Sequence, residues 1–130
     1  MKLEFLKNIN GYGEHAIRLS DFNSSQAVMF FGAIDRLIRH NELPINLNSL
    51  DFIQPVNCCL TLRTSDDDQG ISTTDNVNFF CDLTTKTYQA INGLLQPFCR
   101  KESKGYQWLY DIDTPIGFLF SSGKDMPMEE

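Results

Sequence analysis

Lys2-Leu3-Glu4-Phe5-Leu6-Lys7, then Asn10-Gly11-Tyr12-Gly13, then His15-Ala16-Ile17-Arg18-Leu19 is the segment from which the architecture can be worked out. Both flanks alternate apolar with polar residues, the pattern of half-buried strands. Asn10 and Gly11 accept positive φ, so the centre is a hairpin turn. A two-residue turn would set Leu3 against Arg18. A three-residue loop, Asn10 to Tyr12, sets Leu3 against Leu19, Phe5 against Ile17 and Glu4 against Arg18. The second register gathers the apolar residues on one face and pairs opposite charges on the other. It is therefore the expected one, because register follows the buried pattern.

Downstream, Asn23-Ser24-Ser25 offers helix N-caps. Ala27, Phe30, Phe31, Ile34, Leu37 and Ile38 recur at helical spacing. Arg36, Arg39 and His40 crowd the far end, where cations suit the helix dipole. The spacing predicts a helix from about Ser24 to about His40, ended by Asn41 and Pro44. Leu50 to Ile53 reads as a short strand. Val56 to Arg63 and Val77 to Leu83 alternate with period two and read as clear strands. Between them Asp66-Asp67-Asp68-Gln69-Gly70 reads as an acidic turn. A two-residue Gln69-Gly70 turn opposes Leu62 to Val77, Leu60 to Phe79 and Cys58 to Cys81 in an antiparallel hairpin.

Thr84 or Thr85 caps a second helix, with Tyr88, Ile91, Leu94, Leu95 and Phe98 as its apolar face. Pro97 is expected to end that helix near Gln96 or to kink it, since its ring meets the carbonyl of Gly93. Tyr106 to Asp111 and Ile116 to Ser121 form a last hairpin. A five-residue loop there pairs Tyr110 with Ile116, Trp108 with Phe118 and Tyr106 with Phe120, joining aromatics across the strands.

The order ββ-α-(β)ββ-α-ββ implies an α+β two-layer sandwich: a mostly antiparallel sheet of six or seven strands with two helices on one face. Asp21-Phe22-Asn23-Ser24 and Asp82-Leu83-Thr84-Thr85 pass from strand to helix in a similar way, a faint likeness between the two halves. One domain, residues 1–122, accounts for the length of 130 residues. Residues 123–130, with proline, charge and little to bury, are expected to form a mobile acidic tail.

The net charge is −6. Residues 64–76 contribute −4 and residues 123–130 contribute −2, so the remainder balances at zero. No basic stripe remains to meet phosphates, which argues against nucleic acid as a partner. No apolar run approaches the roughly 20 residues of a membrane helix. The N-terminal residues are too charged for a signal peptide, so the expected location is cytoplasmic. Cys58, Cys59, Cys81 and Cys99 include no C-x-x-C and no histidine at ligand spacing. They are expected to be reduced thiols, with neither a metal nor a cofactor implied.

Asp111-Ile112-Asp113-Thr114 follows an apolar strand and loosely resembles the D-x-D-x-T nucleophile motif of haloacid-dehalogenase-type phosphatases. The threonine falls one position early, Pro115 takes its place, and only 15 residues follow Pro115. The segment reads as a turn. Ser65, Asp67, Gln69 and Asn76 fall at calcium-loop spacing around Gly70, but only one is a carboxylate and the bidentate glutamate is missing. His15 and His40 have no assignable nucleophile, and there is no G-x-S-x-G, P-loop or G-x-G-x-x-G.

A non-enzymatic binding or interaction domain is the expected function, with a homodimer or another protein as partner. Phe80, Leu109 and Leu119 fall at outer positions of a one-sided sheet and form the candidate interaction patch. The rival expectation is a small enzyme or small-molecule binder with a pocket between sheet and helices. The aromatic set Tyr106, Trp108, Tyr110, Phe118 and Phe120 reads as core by its period of two, with a ligand pocket as the alternative.

Overall fold

The structure is a computed structural model that describes residues 1–9, 13–40, 43–101, 105–111 and 115–123. It is an α+β fold. Strands β1 (Lys2–Leu6) and β2 (His15–Ser20) pair antiparallel with Leu3 opposite Leu19, Glu4 opposite Arg18 and Phe5 opposite Ile17, the expected register. The predicted loop, Asn10 to Tyr12, lies outside the described residues. Helix α1 (Ser24–Arg39) starts at the N-cap Asn23. Asn23 Oδ1 accepts from the Gln26 N–H at 2.9 Å, and Gln26 Oε1 accepts from the Asn23 N–H at 3.1 Å, so two orphan donors are satisfied reciprocally.

After α1 come β3 (Ile45–Asn46), a 3₁₀ turn (Leu47–Ser49) and β4 (Gln54–Pro55). The strand expected over Leu50 to Ile53 is absent; the chain there runs from the 3₁₀ turn toward β4. Strands β5 (Cys59–Thr64), β6 (Gly70–Thr73) and β7 (Asn78–Leu83) follow, then α2 (Thr85–Arg100), β8 (Tyr106–Tyr110) and β9 (Ile116–Ser121). Helix α2 continues through Pro97 instead of stopping at Gln96. Pro97 lies in the last turn, and both it and Gly93 are on the exposed side of the helix, away from the core.

The strands form two sheets, not one. The first has order β4-β1-β2-β9-β8 and the second β3-β5-β7-β6. Both are mixed, because β2 runs parallel to β9 and β5 runs parallel to β7. The chain is thus two ββαββ halves, β1-β2-α1-β3-β5 and β6-β7-α2-β8-β9, with β4 added at an edge. Each half's hairpin shares a sheet with the strands that follow the other half's helix. The likeness of the two strand-to-helix junctions is seated at equivalent places in these halves.

The parallel β5·β7 pair corrects the antiparallel hairpin expected around Gln69-Gly70. Leu60 does stand opposite Phe79, but the next apolar pair is Leu62 with Cys81. Cys58, on the same face by alternation, is four positions from Cys81's partner. Beyond Thr64 the chain crosses the end of β7, with the Ser65 N–H donating to Leu83 O at 2.9 Å and the Gln69 N–H to Asp82 O at 2.8 Å. Strand β6 then returns on the far side of β7, antiparallel to it.

The β6–β7 turn is held by Asp75, whose Oδ1 accepts from the Asn78 N–H at 2.8 Å and the Val77 N–H at 2.9 Å. Those backbone bonds, with a further one from the Asn78 side chain, lower its pKa to about 2 from an ordinary 3.8. A carboxylate depressed in this way stabilises the fold above its unfolded pKa, and the contribution disappears as pH falls through the folded value. Carboxyl NMR should therefore show Asp75 titrating near 2. A midpoint at its ordinary value, with the turn still formed, would contradict the hydrogen-bonded turn.

One cluster of buried side chains joins both sheets and both helices. Leu3, Phe5, Ile17, Leu19, Phe118 and Phe120 make the inner face of the first sheet by direct pairing. Phe5 meets Phe79 of the second sheet with ring centroids 4.6 Å apart. Phe30 of α1 and Phe98 of α2 both contact Phe120, at 5.7 and 5.1 Å. Tyr88 is fully buried, and its hydroxyl lies 2.8 Å from Arg63 O and 2.9 Å from Cys81 O, tying α2 to neighbouring strands. Burial, and then the neighbouring Cys81, push that phenol far above its usual range, so it serves as a neutral donor.

Candidate functional site: a cleft between helix α2 and strand β8

The interaction patch expected from Phe80, Leu109 and Leu119 is not on the surface as a group. Leu109 is 5% exposed and Leu119 fully buried. A single row crosses the outer face of the first sheet, Trp108 to Leu119 to Arg18 to Glu4, each residue directly paired with the next. Leu119 therefore sits between an indole and the stem of an arginine. Arg18 Nε donates to Glu4 Oε1 at 3.1 Å, so the long side chain lies across the sheet instead of reaching into water. Phe80 is on the outer face of the second sheet but only half-exposed. The Arg63 guanidinium lies 4.2 Å over its ring and is held there by two 2.8 Å bonds to Asp82.

The expected pairing of Trp108 with Phe118 is also overturned. Trp108 stands opposite Leu119, Tyr110 opposite Phe118, and a register shift lies between Trp108 and Tyr110. The reason is Gly117. A Cβ on that residue would stand 2.6 Å from Trp108 Cζ3, so the indole occupies the space that any other residue in this central strand would fill. The irregularity then lets Leu109 and Tyr110, successive in sequence, both be buried. Residues 112–114 of the turn, including Asp113 and Thr114 of the phosphatase-like motif, lie outside the described residues, as does the tail over 124–130.

Trp108 and Tyr110 line a cleft of about 550 Å³. One wall is β8 and its end, with Trp108, Leu109, Tyr110 and Asp111. The other is one flank of α2, where Thr87, Ala90 and Leu94 recur at spacings of three and four. Asp68, from the crossover before β6, completes the lining. Its carboxylate is fixed: Oδ1 accepts from the Thr84 N–H at 2.8 Å and Oδ2 from the Thr87 hydroxyl at 2.6 Å. Burial works to raise the Asp68 pKa, but these bonds outweigh it and hold the group below the usual carboxylate range. The described residues lining the cleft include two carboxylates and no lysine, arginine or histidine.

The histidines are elsewhere. His15 Nδ1 accepts from the Asn8 N–H at 3.1 Å, and the ring meets the edge of Phe5. His40 caps the end of α1 and lines a smaller hollow of about 260 Å³ with Arg36, Asn46 and Ser49, among others. Among the described residues no aspartate or cysteine lines that hollow. Burial, first among the causes, pushes the Cys58 and Cys81 thiols up to about 12, so neither is a ready nucleophile. Among the described residues no group of three or more histidine, cysteine or acidic side chains could hold a metal ion, and no helix is long and apolar enough to cross a membrane.

Of the five aromatics read as core, Phe118, Phe120 and Tyr110 are buried, whereas Tyr106 is exposed and Trp108 only half-buried; Trp108 and Tyr110 line the cleft. Asp68, Thr87 and Ala90 were missed as a group. Their only signal was the helical flank 87, 90, 94, and nothing local connects it to Asp68 or to β8. In comparisons with known proteins, the chain matches no family model, no curated protein and no solved structure.

Proposed function

We propose that this chain is a non-enzymatic binding domain whose ligand occupies the α2–β8 cleft. The observation that carries the reading is the cleft itself: an aromatic and aliphatic interior of ligand-pocket size, with fixed polar groups in its lining. The chemistry of those groups favours binding over catalysis. Asp68 is held ionised by its bonds to Thr84 and Thr87 and is a weak base, whereas a general base works best with a pKa near the operating pH. The Thr87 hydroxyl donates to that carboxylate, and among the described residues lining the cleft there is no histidine or cysteine to serve as a partner.

Self-association through the outer sheet face loses its support, because two of the three residues that motivated it are buried. The test is amide NMR during titration with a set of small aromatic and amine fragments. Shifts should cluster at Ala90, Leu94, Trp108, Leu109 and Tyr110. Clustering at the groove between α1 and α2, lined by Val28, Phe31 and Cys99, or at the Arg36–His40 hollow, would overturn the assignment.

A further inference from the structure

We infer that the outer face of the α1–α2 pair docks an amphipathic helix of a partner protein, with its apolar ridge in the groove between the two helices and acidic residues near both of its ends. This site is separate from the α2–β8 cleft and does not depend on it. The cleft uses the flank of α2 that carries Thr87, Ala90 and Leu94. The groove uses the opposite flank, with Gln96, Cys99 and Arg100. Three features of the outer face carry the inference.

The first is the groove. It has a volume of about 300 Å³ and is lined by Val28 and Phe31 of α1 and by Gln96, Cys99 and Arg100 of α2. Val28 is 50% exposed. Val28 lies near the start of α1 and Arg100 at the end of α2, so the two helices run past one another in opposite directions. They meet midway, where Asn92 Nδ2 donates to Phe31 O at 3.4 Å. A ridge of side chains from a third helix fits a trough of this kind.

The second is a pair of glycines. Gly32 and Gly93 directly follow the two residues that meet, each in the middle of its helix. Both are exposed, neither has a positive φ, and nothing lies within 4 Å of an added Cβ. Among the described residues, then, neither packing nor backbone conformation calls for glycine there. Glycine nevertheless destabilises a helix interior relative to alanine. A missing Cβ on the open side lets another backbone come close, as a third helix crossing at this point would do.

The third is charge. Every residue of the two helices is described, and they hold Arg36, Arg39, Lys86 and Arg100, all exposed, against one carboxylate, Asp35. That is a net of +3 in a chain of net −6. Lys86, Gly93 and Arg100 recur every seven residues and so share one face of α2, and Gly32 and Arg39 have the same spacing on α1. Because the helices are opposed, Arg100 stands at one end of the face and Lys86 and Arg39 at the other, about 21 Å away along the axis. A partner helix of about four turns, with carboxylates at both ends, matches that placement. A second copy docking through the same face would set these cations against one another.

The experiment follows amide NMR of the intact protein during titration with acetyl-Glu-Glu-Gln-Leu-Ala-Gln-Leu-Leu-Ala-Gln-Leu-Leu-Gln-Ala-Leu-Gln-Glu-Glu-amide, with the same peptide carrying glutamine for glutamate, and with dodecanoate. Shifts from the glutamate peptide should cluster at Val28, Phe31, Gly32, Gly93 and Cys99 and leave Trp108 in place. At low ionic strength it should bind on the order of tenfold more tightly than the glutamine peptide, the sum of several exposed ion pairs. High salt should erase most of that difference, and Arg100→Gln should shrink it. The double variant Gly32→Gln with Gly93→Gln should melt at a higher temperature and yet bind the glutamate peptide roughly tenfold more weakly. A merely structural role for the glycines would not move stability and binding in opposite directions.

Equal binding of the two peptides would overturn the acidic class of partner. Unchanged binding by the double glycine variant would overturn the close approach of a helix. Dodecanoate held in the groove as tightly as the glutamate peptide would point to an acyl chain and overturn the protein segment. Groove amides that shift with protein concentration alone would make a second copy the occupant and overturn the partner helix. No shift at the groove with either peptide would overturn the site itself and leave the α2–β8 cleft untouched.

Discussion

Phe120→Ala should cost about 3–5 kcal/mol, the range for deleting a buried phenylalanine. Phe120 is fully buried in β9, a strand with neighbours on both sides. Its ring stacks on Phe22 at 4.1 Å and also meets Phe30 of α1 and Phe98 of α2. No other ring contacts both helices and the inner face of the first sheet among the described aromatic pairs. Collapse into the resulting cavity is difficult, because the flanking β-strand is hydrogen-bonded on both sides and the two helices pack on one another. Against a typical total of about 5–15 kcal/mol, the loss is a large fraction of the stability. Urea unfolding should show a much lower midpoint with a similar slope. A loss under about 1 kcal/mol would mean that the ring is not the meeting point of helices and sheet.

Gly117→Ala should destabilise by about 1–3 kcal/mol, the usual cost of inserting a methyl group into a well-packed site. The glycine is needed here for space and not for backbone freedom. Its missing Cβ leaves room for the Trp108 ring, and an added methyl would lie 2.6 Å from Cζ3. The backbone of β9 is paired to β2 and β8 and resists moving away, so the indole must yield. The variant should therefore show a second signature. Trp108 should leave its seat, its emission should move toward that of solvent-exposed indole, and the cleft wall should change. The Leu119 side chain, covered in part by that ring, should become more exposed. A variant with unchanged stability and unchanged Trp108 emission would contradict the packing of Trp108 on Gly117. The same substitution also bears on binding, since it disturbs the indole and leaves both carboxylates in place.

The local features were legible because they are set by neighbours in sequence. The β1–β2 register follows from the alternation around Asn10-Gly11, and only one loop length gathers the apolar residues and pairs Glu4 with Arg18. Helix α1 was readable from the spacing of Phe30, Ile34 and Leu37 and from the cap residues Asn23-Ser24-Ser25, of which Asn23 is the cap. The cap of α2 was readable as Thr84 or Thr85, and it is Thr84. Those signals involve contacts between residues a few positions apart, which the pattern itself constrains.

The pairing of β5 with β7 was not legible, and the reason is a symmetry of the pattern. Alternation with period two is unchanged when a strand is reversed, so Leu60, Leu62, Phe79 and Cys81 pair apolar with apolar whether the strands run parallel or antiparallel. What chooses between them is the crossover held by Asp68 at the start of α2, with β6 as a third strand on the far side. β6 contributes one buried apolar side chain, Ile71, and leaves little signal of its own. By itself the sequence determined both helices, the longer strands, the first hairpin register and the distribution of charge, but not the short strands β3, β4 and β6. Only the tertiary structure decided that the halves exchange strands through two parallel pairs, that Leu109 and Leu119 are covered, and that Asp68, Thr87 and Trp108 meet around one cleft. Those outcomes depend on contacts between residues far apart in sequence, and local periodicity carries no information about which distant strand lies alongside.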